Sequence, residues 1–182
     1  LIAMPGAGTH VPIWLLGSSL FSAQLAAERG LPYAFASHFA PRYLLQALDL
    51  YRHNFKPSAA LAKPYAIVGV PLIAAPTDDE AEYLASSTYQ RVLGILTGKR
   101  GQLPAPVAGF METLDTQASA AIADFLACAV IGGPDKVRAG LTKLANATQA
   151  DEFMLVSDVF DPALRLRSLD IAAAAMREPV SA

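Results

Sequence analysis

A glycine and two serines close a short apolar run, Val11-Pro12-Ile13-Trp14-Leu15-Leu16-Gly17-Ser18-Ser19, just before a segment with helical spacing. Where a strand turns into a helix, the first backbone amides have no partner inside the helix and the aligned peptide dipoles add partial positive charge. Serine hydroxyls add donors there and glycine permits close approach, so Gly17, Ser18 and Ser19 suit a phosphate. An ordinary serine cap, with the glycine serving the turn, accounts for the same residues. Neither a Walker A motif nor a Gly-x-Gly-x-x-Gly fingerprint follows this run, which sets those nucleotide loops aside.

A second chemical candidate is His38, which with Ser37 follows the apolar run Tyr33-Ala34-Phe35-Ala36. Its imidazole can donate a hydrogen bond or move a proton near neutral pH. A histidine hydrogen-bonded within a loop reads the same way. No Asp or Glu stands at ligand spacing, so a metal site is not expected. Arg42, at a helix start, reads as solvent-facing, and His10 and His53 read as surface residues. Trp14 reads as core or lining. Asp158 follows the last strand, but nearby Asp161 is better explained as a helix cap. Arg165 and Arg167 flank Leu166 on a helix and read as a solvated face. Cys128, the only cysteine, lies in an apolar stretch and reads as a small buried hydrophobe.

The elements that position these residues alternate. Residues 11–17 read as a strand buried on both faces, and Leu20, Ala23, Leu25 and Ala26 as one helix face ending at Gly30, before Pro32. Residues 33–36 form a second strand, and Leu44, Leu45, Leu48 and Tyr51 a helix from near Pro41 to near Asn54. A third strand lies within residues 65–74, where Pro71 predicts weakened or bulged pairing in the second half. Thr77 and Glu80 form a capping box for the next helix. Residues 98–133 break the rhythm and read as an insertion, helical from about Thr116 to Cys128. Pro134 opens a helix carrying Val137, Leu141 and Leu144, residues 152–156 form the fourth strand, and Asp161-Pro162 caps the last helix. Four parallel β/α units fit either a barrel segment or an open doubly wound sheet. They are too few for a whole barrel, and a half barrel leaves its outer strands unpaired.

Composition narrows the partners. The chain has 182 residues, 53% hydrophobic and 16% charged, with 14 basic and 16 acidic residues, enough for one buried core. Without a basic run, neither nucleic acid nor a membrane surface is the expected partner. One cysteine rules out an intrachain disulfide, and with no membrane span or signal peptide read from the sequence, a cytoplasmic location is expected. The chain opens on Leu1, which suggests an upstream portion.

The first run, with Ser22-Ala23-Gln24-Leu25-Ala26-Ala27-Glu28-Arg29-Gly30-Leu31-Pro32, resembles the bacterial luciferase-like monooxygenases. Tyr33-Ala34-Phe35-Ala36-Ser37-His38-Phe39, Pro76-Thr77-Asp78-Asp79-Glu80-Ala81-Glu82, Ile131-Gly132-Gly133-Pro134-Asp135-Lys136-Val137-Arg138 and Ala150-Asp151-Glu152-Phe153-Met154 continue the likeness in the family's order. The resemblance implies a single α/β domain, residues 1–182, that is a partial TIM (β/α)8-type barrel: strands five to eight, the C-terminal half, with a helical insertion before the last strand. It implies a flavoprotein that uses reduced FMN and O2 to oxygenate a small organic substrate, with a separate flavin reductase as supplier. Gly17, Ser18 and Ser19, with Ser22 as a weaker candidate, are then phosphate holders. Ser37 borders the ring, and His38 is the catalytic residue. The same superfamily includes deazaflavin-dependent oxidoreductases that transfer hydride, so deazaflavin is the alternative cofactor. A non-catalytic flavin-binding protein is the other alternative. A homodimer, or an N-terminal half that completes the barrel, is the implied assembly.

Overall fold

In a computed structural model of the chain, which describes residues 4–177, every strand pairs in parallel. In chain order the elements are β1 (Leu15–Gly17), α1 (Leu20–Arg29), β2 (Tyr33–Ala36), α2 (Leu44–His53), β3 (Ala66–Ala74), α3 (Asp78–Leu96), α4 (Thr116–Phe125), β4 (Val130–Gly132), α5 (Pro134–Thr148), β5 (Glu152–Val156) and α6 (Pro162–Arg177). Short 3-10 turns at Pro41–Tyr43 and Phe110–Thr113 precede α2 and α4. Among the described residues no helix is long and apolar enough to cross a membrane.

Strand β3 is the centre of the sheet. Its first part pairs with β2 and with β5, the latter as far as Pro71↔Val156, and from Leu72 onward it pairs with β4. Pro71 neither breaks nor bulges the strand, as the sequence suggests, but stands where β3 changes partners. β4 itself corrects the reading of residues 98–133 as strandless: α4 stops at Phe125, and the apolar residues after it form a three-residue strand. The first strand is also shorter and more open than expected. Only Leu15–Gly17 pair, and only with β2, so Leu16 is 70% exposed instead of buried on both faces.

Alternation along the strands divides the sheet into two faces. Tyr33, Phe35, Val68 and Val70 point into a core shared with Ala23 and Ala26 of α1, Leu48 and Tyr51 of α2, Val137 and Leu141 of α5, and Ala172 of α6. Each fully buried Val or Leu there contributes about 1.5–3 kcal/mol. The other face carries Leu16 and Met154, the latter 60% exposed. A second core joins Leu84, Tyr89 and Val92 of α3 to Ile122 of α4, Ile73 and Val159, so residues within 98–133 fold around α3.

Helix ends follow the expected chemistry, with one exchange. Gly30 ends α1 in the left-handed conformation at φ 60, which glycine adopts without penalty. Asp161 accepts the amides of Ala163 and Leu164 at 2.8 and 3.0 Å, and Thr77 accepts that of Glu80 at 3.2 Å. The Glu80 carboxylate does not complete its capping box, because it is drawn to the Arg167 guanidinium. That pair also corrects the solvated-face reading of Arg165 and Arg167. Arg165 donates twice to the Val159 carbonyl, and both arginines are half-buried.

Candidate functional site

Where β1 becomes α1, the chain folds onto itself. Ser19 is the N-cap and accepts the Ser22 amide at 3.2 Å; the Ser22 hydroxyl donates to the Ser19 carbonyl at 2.8 Å and meets the Tyr33 hydroxyl at 3.0 Å. A side-chain carbon on Gly17 would lie 2.2 Å from Ser22 Oγ, so glycine is required by close packing. Burial pushes the Tyr33 phenol up, partly offset by its bond to Ser22. The phenol therefore stays protonated as a donor for this corner.

The four predicted residues here thus divide. Ser22 spends its hydroxyl on shaping the corner and Gly17 makes room for it. Ser19 caps the helix but lies exposed, and half-buried Ser18 has no side-chain hydrogen bond among the described residues. The helices after β3, β4 and β5 begin with carboxylates at Asp78, Asp135 and Asp161, whereas the first turn of α1 has none. The Asp78 carboxylate also accepts the Gly133 amide at 2.7 Å, filling the N-terminus of α5. The first turn of α2, like that of α1, has no carboxylate.

Gly17 pairs with Phe35 in register, so Ser18-Ser19 and Ser37-His38 leave the same end of neighbouring strands. Ser37 is buried and donates to the Gly69 carbonyl at 2.5 Å, which ties the loop after β2 to β3. Its hydroxyl is thereby engaged with the backbone of the central strand. His38 lies 4.3 Å from the Phe39 ring, with Nδ1 buried and unpartnered. A side-chain carbon on Gly69 would sit 3.0 Å from that nitrogen. Burial pulls the imidazole below its ordinary pKa, the Asp158 charge opposes this and Arg91 adds to it. The lowered pKa favours the neutral imidazole at pH 7. Cys128 is half-buried beside Ser37, and burial pushes its thiol up, away from the reactive thiolate.

Of two further residues in this region, Arg91 has no local signal in the sequence and Asp158 has only its place after the last strand. Arg91 Nη2 lies 2.5 Å from Asp158 Oδ2, and the Thr88 hydroxyl donates to the Asp158 carbonyl at 3.4 Å. The middle of α3 therefore sits over the segment after β5, across the end of the sheet from which His38 also projects. Arg91 also borders a cavity of about 400 Å³ lined by Lys99 and Arg100. Only the tertiary fold joins positions so far apart in the chain.

Residues 1–150 match the family model described as luciferase-like monooxygenase. The chain belongs to the luciferase-like monooxygenase family. It is 47% identical over 169 residues to a luciferase-like monooxygenase of Escherichia coli (strain K12), covering 93% of this chain and 50% of that one. It is also 48% identical over 171 residues to the uncharacterized protein YvbT of Bacillus subtilis (strain 168), covering 94% and 51%. The chain thus spans about half the length of the curated relatives it matches. Among solved structures, apo-MsnO8 superposes with a TM-score of 0.77 at 32% identity, over 95% of this chain and 53% of that one. The oxygenating constituent of 3,6-diketocamphane monooxygenase, solved with FMN, shares the fold at a TM-score of 0.61 and 19% identity, over 93% and 49%. This luciferase-like chain has a parallel α/β fold.

Proposed function

We propose that this chain is the C-terminal half of a flavin-dependent monooxygenase barrel, and that Gly17, Ser18 and Ser19 hold the phosphate of FMN. The observation that carries the reading is a carboxylate-free helix N-terminus with an unengaged serine, beside a histidine at the end of the next parallel strand. Active sites of β/α barrels are built at that end. The open apolar face of the sheet, with Leu16 and Met154, supports a barrel interior that four further strands would fill.

Bound there, reduced FMN supplies the electrons that activate O2 for transfer of one oxygen atom to an organic substrate. The chain's own work is positional and protonic. Amides at the start of α1 and the Ser18 and Ser19 hydroxyls anchor the phosphate, while Ser22 and Tyr33 keep that corner in shape. Ser37 fixes the loop after β2. His38, a neutral imidazole, donates a hydrogen bond at the reacting end and moves a proton as charge develops. Helix α3 and the segment packed on it shield this end from water. A separate flavin reductase supplies the reduced cofactor.

The test is a fluorescence titration with FMN on the chain joined to its upstream half, with and without Ser18→Ala plus Ser19→Ala. Loss of two hydrogen bonds to a charged phosphate, at roughly 1.5–3 kcal/mol each, weakens binding by at least about 100-fold. Unchanged affinity removes these hydroxyls from the site. Binding of a deazaflavin in place of FMN turns the reading to hydride transfer.

A further inference from the structure

We propose that the cavity between the second half of α3 and the loop after it, lined by Arg91, Lys99 and Arg100, binds a small molecule through an oxyanion group, a phosphate or a carboxylate. The inference goes beyond the flavin reading and does not rest on it. Three cations share one cavity of about 400 Å³ with no carboxylate in its lining. The chain as a whole is net negative, at -2, and residues 83–111 contain no Asp or Glu, so the positive excess belongs to this stretch. Among the described residues the cluster makes one ion pair, from Arg91 Nη2 to Asp158 at 2.5 Å, and Lys99 and Arg100 have no carboxylate partner.

The walls are fixed by the chain itself. Gly94 lets the loop fold back onto α3, since a side-chain carbon there would lie 2.6 Å from the Lys99 carbonyl oxygen. Farther along, Gln90 Nε2 donates to the Ala105 carbonyl at 2.9 Å and the Val107 amide donates to Ser86 Oγ at 2.8 Å. The loop is thus fastened to α3 on both sides of the cavity. A site formed in advance spends less of its binding energy on ordering itself.

Basic residues after a helix commonly serve its negative C-terminal end. Here that end is satisfied by other groups: the Thr97 amide and hydroxyl both donate to the Leu93 carbonyl, at 2.9 and 2.8 Å, and the Gly98 amide donates to the Ile95 carbonyl at 3.2 Å. Arg91 also has donors to spare, because a guanidinium carries five N–H groups and its one hydrogen bond among the described residues goes to Asp158. Guanidinium forks match carboxylate and phosphate alike, and the Lys99 ammonium adds a point charge. No aromatic ring lines the cavity, so it offers no platform for stacking a nucleobase or a flavin ring. A compact anion is the ligand that fits.

The test is an amide NMR titration of the chain joined to its upstream half, with inorganic phosphate and separately with citrate, at an ionic strength held constant with sodium chloride. The amides of Gly94, Gly101 and Gln102 shift and saturate with at least one of the two anions, and the tighter of the two identifies the group recognised. Lys99→Gln plus Arg100→Gln weakens that binding about 10-fold, less than the loss of two buried charged bonds because both side chains are exposed. Lys63→Gln plus Lys143→Gln removes the same charge from exposed positions elsewhere and leaves the affinity unchanged. No saturation at the cavity with either anion, or an equal loss in the two double variants, overturns the proposal. Shifts confined to Ser18 and Ser19 overturn it while supporting the flavin corner, so the two readings fail separately.

Discussion

Gly17 and Ser22 meet so closely that one added methyl group tests the whole corner. Gly17→Ala places a carbon 2.2 Å from Ser22 Oγ and 2.4 Å from Ser22 Cβ, and overpacking of this kind costs about 1–3 kcal/mol. Urea unfolding should show that loss in Gly17→Ala. Most of it should persist in Gly17→Ala with Ser22→Ala, because the Cβ clash remains; wild-type stability in the double variant would contradict the packing. His38 gives a pH signature at the same scale. Its folded pKa is depressed, so at falling pH the unfolded chain takes up the proton first. The contribution of neutral His38 is therefore complete above about pH 6.5, the ordinary imidazole value, and is lost as pH falls from there through the folded pKa. Chemical denaturation from pH 8 to 5 should show this slope, and His38→Gln should flatten it.

Helix caps carry the next level, and they separate what a local pattern can specify from what it cannot. Thr77→Ala removes the acceptor for the Glu80 amide and should cost about 1 kcal/mol in thermal or urea unfolding. Glu80→Gln should cost under about 1 kcal/mol, because its bond to Arg167 is between side chains 36% and 40% exposed. A Glu80 variant more damaging than the Thr77 variant would restore the capping box that the structure dissolves. The Thr77, Asp161 and Pro134 helix starts were legible because each is decided within four residues. The parallel strands 33–36 and 152–156 were legible because apolar runs of that length, separated by helices, have few other uses. β4 was not, since three residues become a strand only when the far end of β3 is beside them. For the same reason Glu80 was read as a cap and Arg167 as solvated, though each chose the other. At the site, Gly17, Ser18 and Ser19 announce themselves by sequence adjacency. Arg91 and Asp158 become neighbours only through the path of α3 across the sheet.

At the scale of the molecule, one face of the sheet is covered by α1, α2, α5 and α6 while the other presents Leu16 and Met154 to solvent. The outermost strands β1 and β5 each pair on one side only among the described residues. Apolar faces and open edges are liabilities unless another part of a protein or another copy covers them. The relatives are about twice as long as the matched region, and under the function proposed above an upstream half closes the sheet and buries this face as a barrel interior. That assembly predicts a stability effect that depends on chain length. In the chain as given, Leu16→Ala and Met154→Ala act on exposed side chains and should each change urea stability by less than about 0.5 kcal/mol. In the protein extended by its upstream half, the same substitutions fall in a packed interior and should each cost about 2–5 kcal/mol. Small effects in both lengths would mean that this face stays open and that no barrel forms around it. Large effects already in the short chain, growing with protein concentration, would mean instead that a second copy covers it.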